Sequence, residues 1–395
     1  MNELVKRAVG RARAAGATYA DARAIVRRTQ EINTKNGAPE ALSDSTDQGL
    51  GVRVASGEMA FTREEKWFAS SEGAAIAQTR IQSGAGLQAM AEGSGEVQRR
   101  SYPSSFGGDT ANSGWEFVES LDLPGNARRI AEEAVALISA DPCPAKTTTL
   151  ILEGSQLALQ VHESCGHPAE LDRVFGTERS FAGTSFLTPD KLNSLRYGSD
   201  LVTLYADATI PGALGSFGYD DEGVPAARTD IVAGGLFTGY LSSRETAARL
   251  GLDSGGAMRA SGWNRLPLIR MTNVCLAPGN SSLSKMIAET DDGIYAVTNK
   301  SWSIDDQRLN FQFATEIGWE IKQGQLGRML RNTTYQGVTP QFWGSCDAVA
   351  GKDEWRPWGL VNCGKGEPMQ VMWVAHGVAP ARVRNIRVGV GAQAE

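Results

Sequence analysis

The stretch Val161–Glu170 reads V-H-E-S-C-G-H-P-A-E and places a histidine on either side of one glutamate. The chain has 395 residues and 3 histidines, and two of the three lie in this stretch. In the zinc-binding pattern H-E-x-x-H, the histidines lie about 40° apart on a helix, so both rings reach one ion. His162 and His167 have one more residue between them, which leaves them about 140° apart on a regular α-helix. A regular helix therefore cannot direct both rings to one metal ion.

A local π-helical widening would bring both histidines onto one face, because i→i+5 hydrogen bonds add one residue to the turn. Gly166 removes a side chain where this distortion would crowd, and Pro168 prevents the helix from continuing. The spacing leaves two interpretations open, a metal site on an irregular helix or two unrelated polar histidines. We predict a break in regular α-helix between His162 and His167.

The composition indicates a soluble globular protein, with 41% hydrophobic and 21% charged residues. A net charge of −6 gives no general attraction to nucleic acid or to an anionic membrane. The first residues lack the apolar segment of a secretory signal, and no window approaches the roughly 18 apolar residues of a membrane helix. The 5 cysteines do not resemble a disulfide framework. We therefore expect a cytoplasmic protein with no direct contact to nucleic acid or membrane.

The chain is predicted to divide at residues 141–145, D-P-C-P-A, because prolines cannot continue the preceding helix. The expected fold class is α+β, with a smaller N-terminal α+β domain (1–143) and a larger β-rich C-terminal domain (144–395) that carries the two histidines. Helices are predicted at 3–15, 126–139 and 282–290, and from residue 156 with Ser155 as N-cap. Strands are predicted at 19–28, 31–34, 49–54, 66–69, 147–153, 234–240 and 323–329, and a loop at 101–114.

Several stretches carry a resemblance to one known family. The sequence H-E-S-C-G-H-P-A-E-L-D resembles the H-E-x-x-x-H motif of the TldD/PmbA family of zinc metallopeptidases. Further matches are S-F-G-Y-D-D-E-G-V-P-A (216–226), S-R-E-T-A-A-R-L-G (243–251), P-L-I-R-M-T-N (267–273), N-C-G-K-G (362–366), A-D-A-R (20–23), G-V-R-V (51–54) and F-A-S-S-E-G (68–73). The blocks follow the family's order, and the resemblance covers essentially the whole chain.

The resemblance implies that His162, His167 and Cys363 bind one Zn²⁺ per chain and that Glu163 activates the attacking water. Two imidazoles and a thiolate leave a fourth position open, as in catalytic zinc sites. The resemblance also implies hydrolysis of unfolded or extended peptides. It implies a dimer, either of two copies or with a homologue that lacks the histidines. Family members are longer between the G-V-R-V and F-A-S-S-E-G blocks, so a helical segment is expected to be missing from the N-terminal domain.

Three residues are weaker candidates for binding substrate. Arg270 and Asn273 belong to the I-R-M-T-N block, and the alternative for both is structural hydrogen bonding. His376 is the remaining histidine. Three interpretations of His376 are open. It could replace Cys363 as the third ligand, it could contact the transition state, or it could be a histidine near a strand end whose hydrogen bonds are all made within the protein.

Other residues with possible metal chemistry have a plainer interpretation. Cys165 and Cys346 are predicted to be packed in the protein rather than to bind metal. Asp220, Asp221 and Glu222 are predicted to form an acidic turn that caps backbone N–H groups, with a second metal site as the alternative.

Two other functions compete with peptide hydrolysis. The first is a non-catalytic peptide-binding partner or scaffold with structural zinc, and Glu163 argues against it because structural zinc needs no general base. The second is regulation of DNA topology, suggested by the family's older name, modulators of DNA gyrase. The absence of a basic cluster in the sequence argues against direct contact with DNA.

Overall fold

The computed structural model describes residues 2–14, 21–35, 38–53, 56–93 and 96–389. The chain forms two compact units, one of Met1–Val135 with Gly262–Asn264 and one of Ala136–Ser261 with Arg265–Glu395. The α+β fold class is confirmed, with a smaller N-terminal part and a larger β-rich C-terminal part. The domain boundary after residue 143 stays a prediction.

The first unit is built on an antiparallel sheet. Its elements are α1 (Asn2–Ala14), β1 (Asp21–Lys35), β2 (Ala38–Arg53), β3 (Ser56–Ala69), β4 (Ala75–Gly93), β5 (Glu96–Tyr102), β6 (Asp109–Ala111), α2 (Trp115–Ser120) and α3 (Leu123–Ser139). The strand order is β1-β2-β3-β4-β5, and β6 pairs with a separate part of β4.

Long strands replace several of the short ones that the sequence predicts. The predicted strands at 19–28 and 31–34 lie on the single strand β1, apart from residues 19 and 20, which fall outside the described residues. The predicted loop at 101–114 contains the end of β5 and all of β6. The helices predicted at 3–15 and 126–139 are confirmed as α1 and α3 over their described residues. Within the described part of 51–73 there is no helix, because β2 and β3 form an antiparallel pair there.

Helices α2 and α3 contribute apolar residues that pack with β4. Ala85 of β4 clusters with Val118, Leu121 and Leu123, and Ala89 clusters with Ile130 and Ala134. The strand can lie this close to the following loop because Gly86 has no side chain. A Cβ atom at Gly86 would lie 2.5 Å from the Gly108 Cα atom, which is a steric clash.

The second unit contains most of the strands. Its elements are β7 (Asp141–Pro142), β8 (Lys146–Leu152), α4 (Gly154–Val161), α5 (Leu171–Val174), α6 (Arg179–Ala182), β9 (Leu204–Asp207), β10 (Arg228–Ala233), β11 (Leu236–Phe237), α7 (Arg244–Arg249), β12 (Met258–Arg259), β13 (Leu268–Ile269), β14 (Val274–Leu276), α8 (Leu283–Ala288), β15 (Asp292–Ile304), β16 (Asn310–Lys322), β17 (Gln325–Arg331), β18 (Thr333–Val338), α9 (Thr339–Gly344), β19 (Cys346–Val349), β20 (Arg356–Lys365), β21 (Gln370–Val378) and β22 (Ala381–Val388).

The main sheet of this unit closes on itself. Strands β15, β8, β22, β18 and β16 pair in that order, and β16 also pairs with β15. Strands β17 and β7 extend the sheet from β16, and β19 pairs with β22. A second sheet has the order β11-β10-β9-β14, while β12–β13 and β20–β21 form two-stranded pairs. The β20–β21 hairpin and the helix after β8 supply the candidate site.

Helix α4 follows β8 directly and is buried along its whole length. Buried polar side chains need hydrogen-bond partners, and the Gln156 amide of this helix donates to the Tyr335 hydroxyl at 2.7 Å. The prediction that Ser155 caps this helix is wrong. Helix α4 begins at Gly154, and the Glu153 carboxylate caps it by accepting from the Ser155 N–H at 2.8 Å. The helix therefore begins two residues earlier than the sequence pattern indicates, and a glutamate takes the place of the usual short N-cap side chain.

Glycine turns shorten two of the predicted strands. Gly234 and Gly235 have positive φ and form the turn between β10 and β11, so the prediction at 234–240 is correct only for Leu236–Phe237. The turn residues Gln323 and Gly324 also have positive φ, and β17 begins at Gln325. The strand at 147–153 is confirmed as β8, and the helix at 282–290 as α8. None of the described helices is long and apolar enough to span a membrane.

Candidate metal centre

Helix α4 continues at its C-terminal end as a π-helical turn over His162–Gly166. The His167 N–H donates to the His162 carbonyl, an i→i+5 hydrogen bond, and a 3-10 turn over His167–Ala169 follows. The wider turn brings the two imidazole rings to 4.7 Å between their centroids. The predicted break in regular α-helix is therefore confirmed.

Buried polar side chains hold the π-helical turn. The Tyr197 hydroxyl donates to the Ser164 carbonyl at 2.5 Å. The Ser164 hydroxyl donates to the Gln160 carbonyl at 2.6 Å and accepts from the Trp343 indole N–H at 3.1 Å. A change of hydrogen-bond register leaves backbone carbonyls in need of donors, and these side chains supply them. The distortion at the histidines is therefore fixed by the surrounding unit.

The β20–β21 hairpin brings Cys363 to the two histidines. The Cys363 Sγ atom lies 3.9 Å from His167 Nε2. One ligand atom from each of His162, His167 and Cys363 lies within 4.8 Å of the others, and all three residues are buried. Arg270 anchors this part of the hairpin by donating to the carbonyl groups of Cys363 and Gln370. The three residues that the sequence predicts as ligands are thus brought together.

The protonation states at this cluster suit a metal ion. Burial lowers the pKa of His162 to about 4 and holds the pKa of His167 well below its ordinary value. Burial alone would raise the pKa of Cys363, but nearby positive charge, that of the Arg270 guanidinium among it, outweighs burial, and the pKa of the thiol is lowered. Metals bind neutral imidazole and thiolate, the forms that these shifts favour. Two nitrogens and one sulfur match the three protein ligands of a catalytic zinc site.

His376 determines which nitrogen of His162 is available to a metal. His376 Nδ1 lies 2.9 Å from the Val274 carbonyl oxygen, so this nitrogen carries the proton and donates it. His376 Nε2 is then an acceptor and lies 2.8 Å from His162 Nδ1, which must be the donor. The remaining nitrogen of His162, Nε2, therefore keeps its lone pair free for a metal ion.

A carboxylate fixes His167 in the same way. His167 Nδ1 lies 2.9 Å from Glu170 Oε2 and donates to it, which leaves Nε2 on the side of Cys363. Lys365 Nζ lies 3.3 Å from the same Glu170 oxygen and 2.7 Å from Asp172 Oδ1. Glu170 and Lys365 are completely buried, so their charges depend on this pairing.

Glu163 lies in the π-helical turn beside His162 and is buried. Its carboxylate accepts a hydrogen bond from Arg308 Nη1 at 2.6 Å. Arg308 comes from the turn between β15 and β16 and follows Glu163 by 145 residues. Nothing in the sequence of that turn marks Arg308 as part of a site. Glu170 and Lys365 are not predicted as site residues either, although Glu170 lies in the H-E-S-C-G-H-P-A-E-L-D block and Lys365 in the N-C-G-K-G block.

The other candidates bind the protein's own backbone. Asn273 accepts from the Gly215 N–H at 2.9 Å and donates to the Asp207 carbonyl at 2.6 Å. Arg270 is completely buried and donates to two carbonyls, as described above. These contacts favour the structural alternative for both residues, and their binding of substrate stays a prediction. His376 is buried, and both of its ring nitrogens already have partners.

The predicted packing of the remaining cysteines and the predicted capping turn of the acids are both found in the structure. Cys165 and Cys346 are buried, and burial raises the pKa of each thiol to about 12. The Asp220 carboxylate accepts from the N–H groups of Glu222, Val224 and Met258, so it caps a turn. All 5 cysteines are free and buried.

Comparisons with known proteins place the chain in a family. Residues 145–390 match the model of the PmbA/TldA metallopeptidase C-terminal domain, and residues 20–93 match the model of domain 1. A metalloprotease of Methanothermobacter thermautotrophicus is 31% identical over 322 residues, which cover 82% of this chain and 66% of the relative. A metalloprotease of Methanocaldococcus jannaschii is 34% identical over 242 residues, which cover 61% of this chain and 51% of the relative.

Solved structures share the fold at low sequence identity. A Thermotoga maritima protein, described as a proposed modulator of a DNA gyrase, has a TM-score of 0.67 at 15% identity, with 98% of this chain and 99% of that chain covered. TldE from Thermococcus kodakarensis has a TM-score of 0.63 at 17% identity, with 86% and 68% covered. The chain spans about half to two thirds of the curated relatives named above. It belongs to the PmbA/TldD metallopeptidase family.

Proposed function

We propose that the chain is a zinc peptidase that holds one Zn²⁺ through His162, His167 and Cys363 and uses Glu163 as general base. The observation that carries this proposal is the convergence of three buried ligand atoms within 4.8 Å, next to a buried glutamate. The hydrogen bonds to the two imidazoles support it, because they direct Nε2 of each ring away from its protein partner.

A bound zinc ion supplies two effects, a lower pKa for a water molecule and a polarised peptide carbonyl. Glu163 accepts a proton from the water, whose oxygen forms a bond to the carbonyl carbon while the carbonyl electron pair moves onto its oxygen. When that pair returns, the C–N bond breaks and Glu163 passes its proton to the leaving nitrogen. The products are an amine and a carboxylic acid, which ionises.

The proposed substrate is an unfolded or extended peptide, and the proposed assembly is a dimer. The dimer is formed by two copies or with a homologue that lacks the histidines. Both points are supported by membership of the family rather than by a contact in the chain. A cytoplasmic location belongs to the same proposal, because free, buried cysteines suit a reducing compartment.

A peptide-binding scaffold with structural zinc is the alternative. Structural zinc sites are closed by four protein ligands, whereas three converge among the described residues. A buried carboxylate held beside one ligand is of no use to a closed site, so the arrangement favours catalysis.

The substitution Glu163→Gln tests the proposal. It removes proton transfer and leaves the three ligands, so zinc content should be unchanged while hydrolysis of an unstructured peptide falls about 10²–10⁴-fold. Glu245→Gln, a change at an exposed glutamate on α7, is the matched control and should keep full activity. Activity of wild-type protein should disappear with a chelator and return with zinc. Near-normal turnover by zinc-loaded Glu163→Gln protein would exclude this mechanism.

A further inference from the structure

Arg308 is a buried cation placed against the candidate general base. Its Nη1 atom lies 2.6 Å from Glu163 Oε2, and the two side chains are only 13% and 6% exposed. A guanidinium has five N–H donors arranged in a fork, so the contact with Glu163 leaves other N–H groups of Arg308 available. Arg308 Nε is buried and has no hydrogen-bond partner among the described residues.

The turn that carries Arg308 is fixed on both sides. Arg308 has a φ of 62°, the left-handed region, and its N–H donates to the Asp305 carbonyl at 2.9 Å. The Asp305 carboxylate accepts from the Leu309 N–H at 2.8 Å. The Thr339 hydroxyl donates to the Arg308 carbonyl at 3.1 Å. A backbone held this firmly presents the guanidinium in one place, as a preorganised donor requires.

Neighbouring polar groups are mostly occupied. Both terminal nitrogens of Arg270 donate to backbone carbonyls, although its buried Nε has no hydrogen-bond partner among the described residues. Both ring nitrogens of His376 have partners. Asn273 is bound to the Asp207 carbonyl and to the Gly215 N–H. Arg308 differs from Arg270 in its direct contact with Glu163, and its Nε–H group has no partner in the described part of the chain.

We propose that Arg308 is a catalytic residue that binds the carbonyl oxygen of the scissile peptide bond while it aligns Glu163. This inference rests on the proposed function. Attack by water moves an electron pair onto that oxygen, and a charged donor in a site largely closed to water stabilises the new negative charge strongly. The neutral carbonyl gains much less from the same donor. Arg308 should therefore act on the transition state more than on the binding of substrate.

The alternative is that Arg308 only aligns Glu163. Binding measurements in the Glu163→Gln background separate the two roles, because the carboxylate that Arg308 would align is absent. The two ligands are a phosphinic peptide, whose tetrahedral centre carries a negative oxygen in place of the scissile carbonyl, and the parent peptide with its ordinary amide. The affinities of both ligands for zinc-loaded protein would be measured by calorimetry, with and without Arg308→Ala.

Arg308→Ala should weaken binding of the phosphinic peptide about 10²–10³-fold, the loss typical for one oxyanion donor. Binding of the parent peptide should change only a few-fold, roughly as expected for a group that acts on the transition state. Arg308→Gln keeps most of the side-chain volume and should show the same pattern if the alanine variant does not fold. Arg328→Ala is the matched control, since Arg328 is half exposed on β17 and pairs with Glu320.

An unchanged affinity for the phosphinic peptide in both Arg308 variants would overturn the inference, and so would equal losses for both ligands. A different result would contradict the proposed function itself: no binding of zinc by the protein with intact Arg308. Zinc content of every variant is therefore measured alongside the affinities.

Discussion

At the scale of single residues, the protons on three imidazoles decide what the cluster can bind. The Val274 carbonyl fixes the tautomer of His376, and His376 in turn fixes the tautomer of His162. His167 is fixed separately by Glu170. A group that holds a ligand in its binding tautomer raises metal affinity without touching the metal. These hydrogen bonds give His376 the role of orienting His162, which differs from binding substrate and from binding the metal directly.

The substitution His376→Ala should weaken zinc binding about 10–100-fold, the usual effect of losing such a supporting group. Cys363→Ala removes a ligand and should weaken it much further. At saturating zinc, the His376 variant should still hold one ion per chain, and the Cys363 variant should hold little. Competition with a chromogenic chelator measures both affinities. If Cys363→Ala binds zinc normally and His376→Ala does not, the third ligand is His376.

The residues of the candidate site divide into those that the sequence could predict and those that it could not. His162, Glu163, His167 and Cys363 lie in compact motifs with few alternatives in a chain of 3 histidines. Arg308 lies in an ordinary turn, and only the pairing of β15 with β16 brings that turn to Glu163. Contacts of this kind depend on the register of distant strands, which no local pattern encodes.

Among the helices and strands, the π-helical turn follows most directly from the sequence. Helical geometry alone shows that histidines at this spacing diverge by about 140°, so a shared site demands a wider turn. The structure has that turn at His162–Gly166. A Cβ atom at Gly166 would lie 2.0 Å from the Met271 sulfur, so a side chain at this position would have to displace the buried Met271. Strand lengths were less predictable, because β1 to β4 are held by pairing with one another and not by a period-2 pattern alone.

The substitution Tyr197→Phe tests what holds the π-helical turn. It removes the hydroxyl donor to the buried Ser164 carbonyl, which should cost about 1–3 kcal/mol in the free energy of unfolding. Urea denaturation of the metal-free protein measures this difference. Tyr219→Phe, at a tyrosine with 39% exposure, is the comparison and should cost less, because water can replace a half-exposed hydroxyl group. Equal stability of both variants would show that Tyr197 does not support the turn.

At the scale of the whole molecule, the candidate metal site joins distant parts of one chain. The histidines follow β8, whereas Cys363 lies in a hairpin that follows His167 by 196 residues. The first unit contributes none of the three ligands. The helical segment expected to be missing between the G-V-R-V and F-A-S-S-E-G blocks would belong to the first unit, and its absence stays a prediction.

A site assembled from distant segments should couple metal binding to global stability. The unfolded chain does not hold the ligands together, so zinc binds the folded protein and raises its stability by RT ln(1 + [L]/Kd). At free zinc about 1,000 times above Kd, the gain is about 4 kcal/mol. The melting temperature of wild-type protein should therefore rise on addition of zinc and fall with a chelator. Cys346→Ala, a change at another buried cysteine, should keep this shift, whereas Cys363→Ala should lose most of it. A zinc-dependent shift that survives Cys363→Ala and disappears in Cys346→Ala would place the metal elsewhere in the molecule.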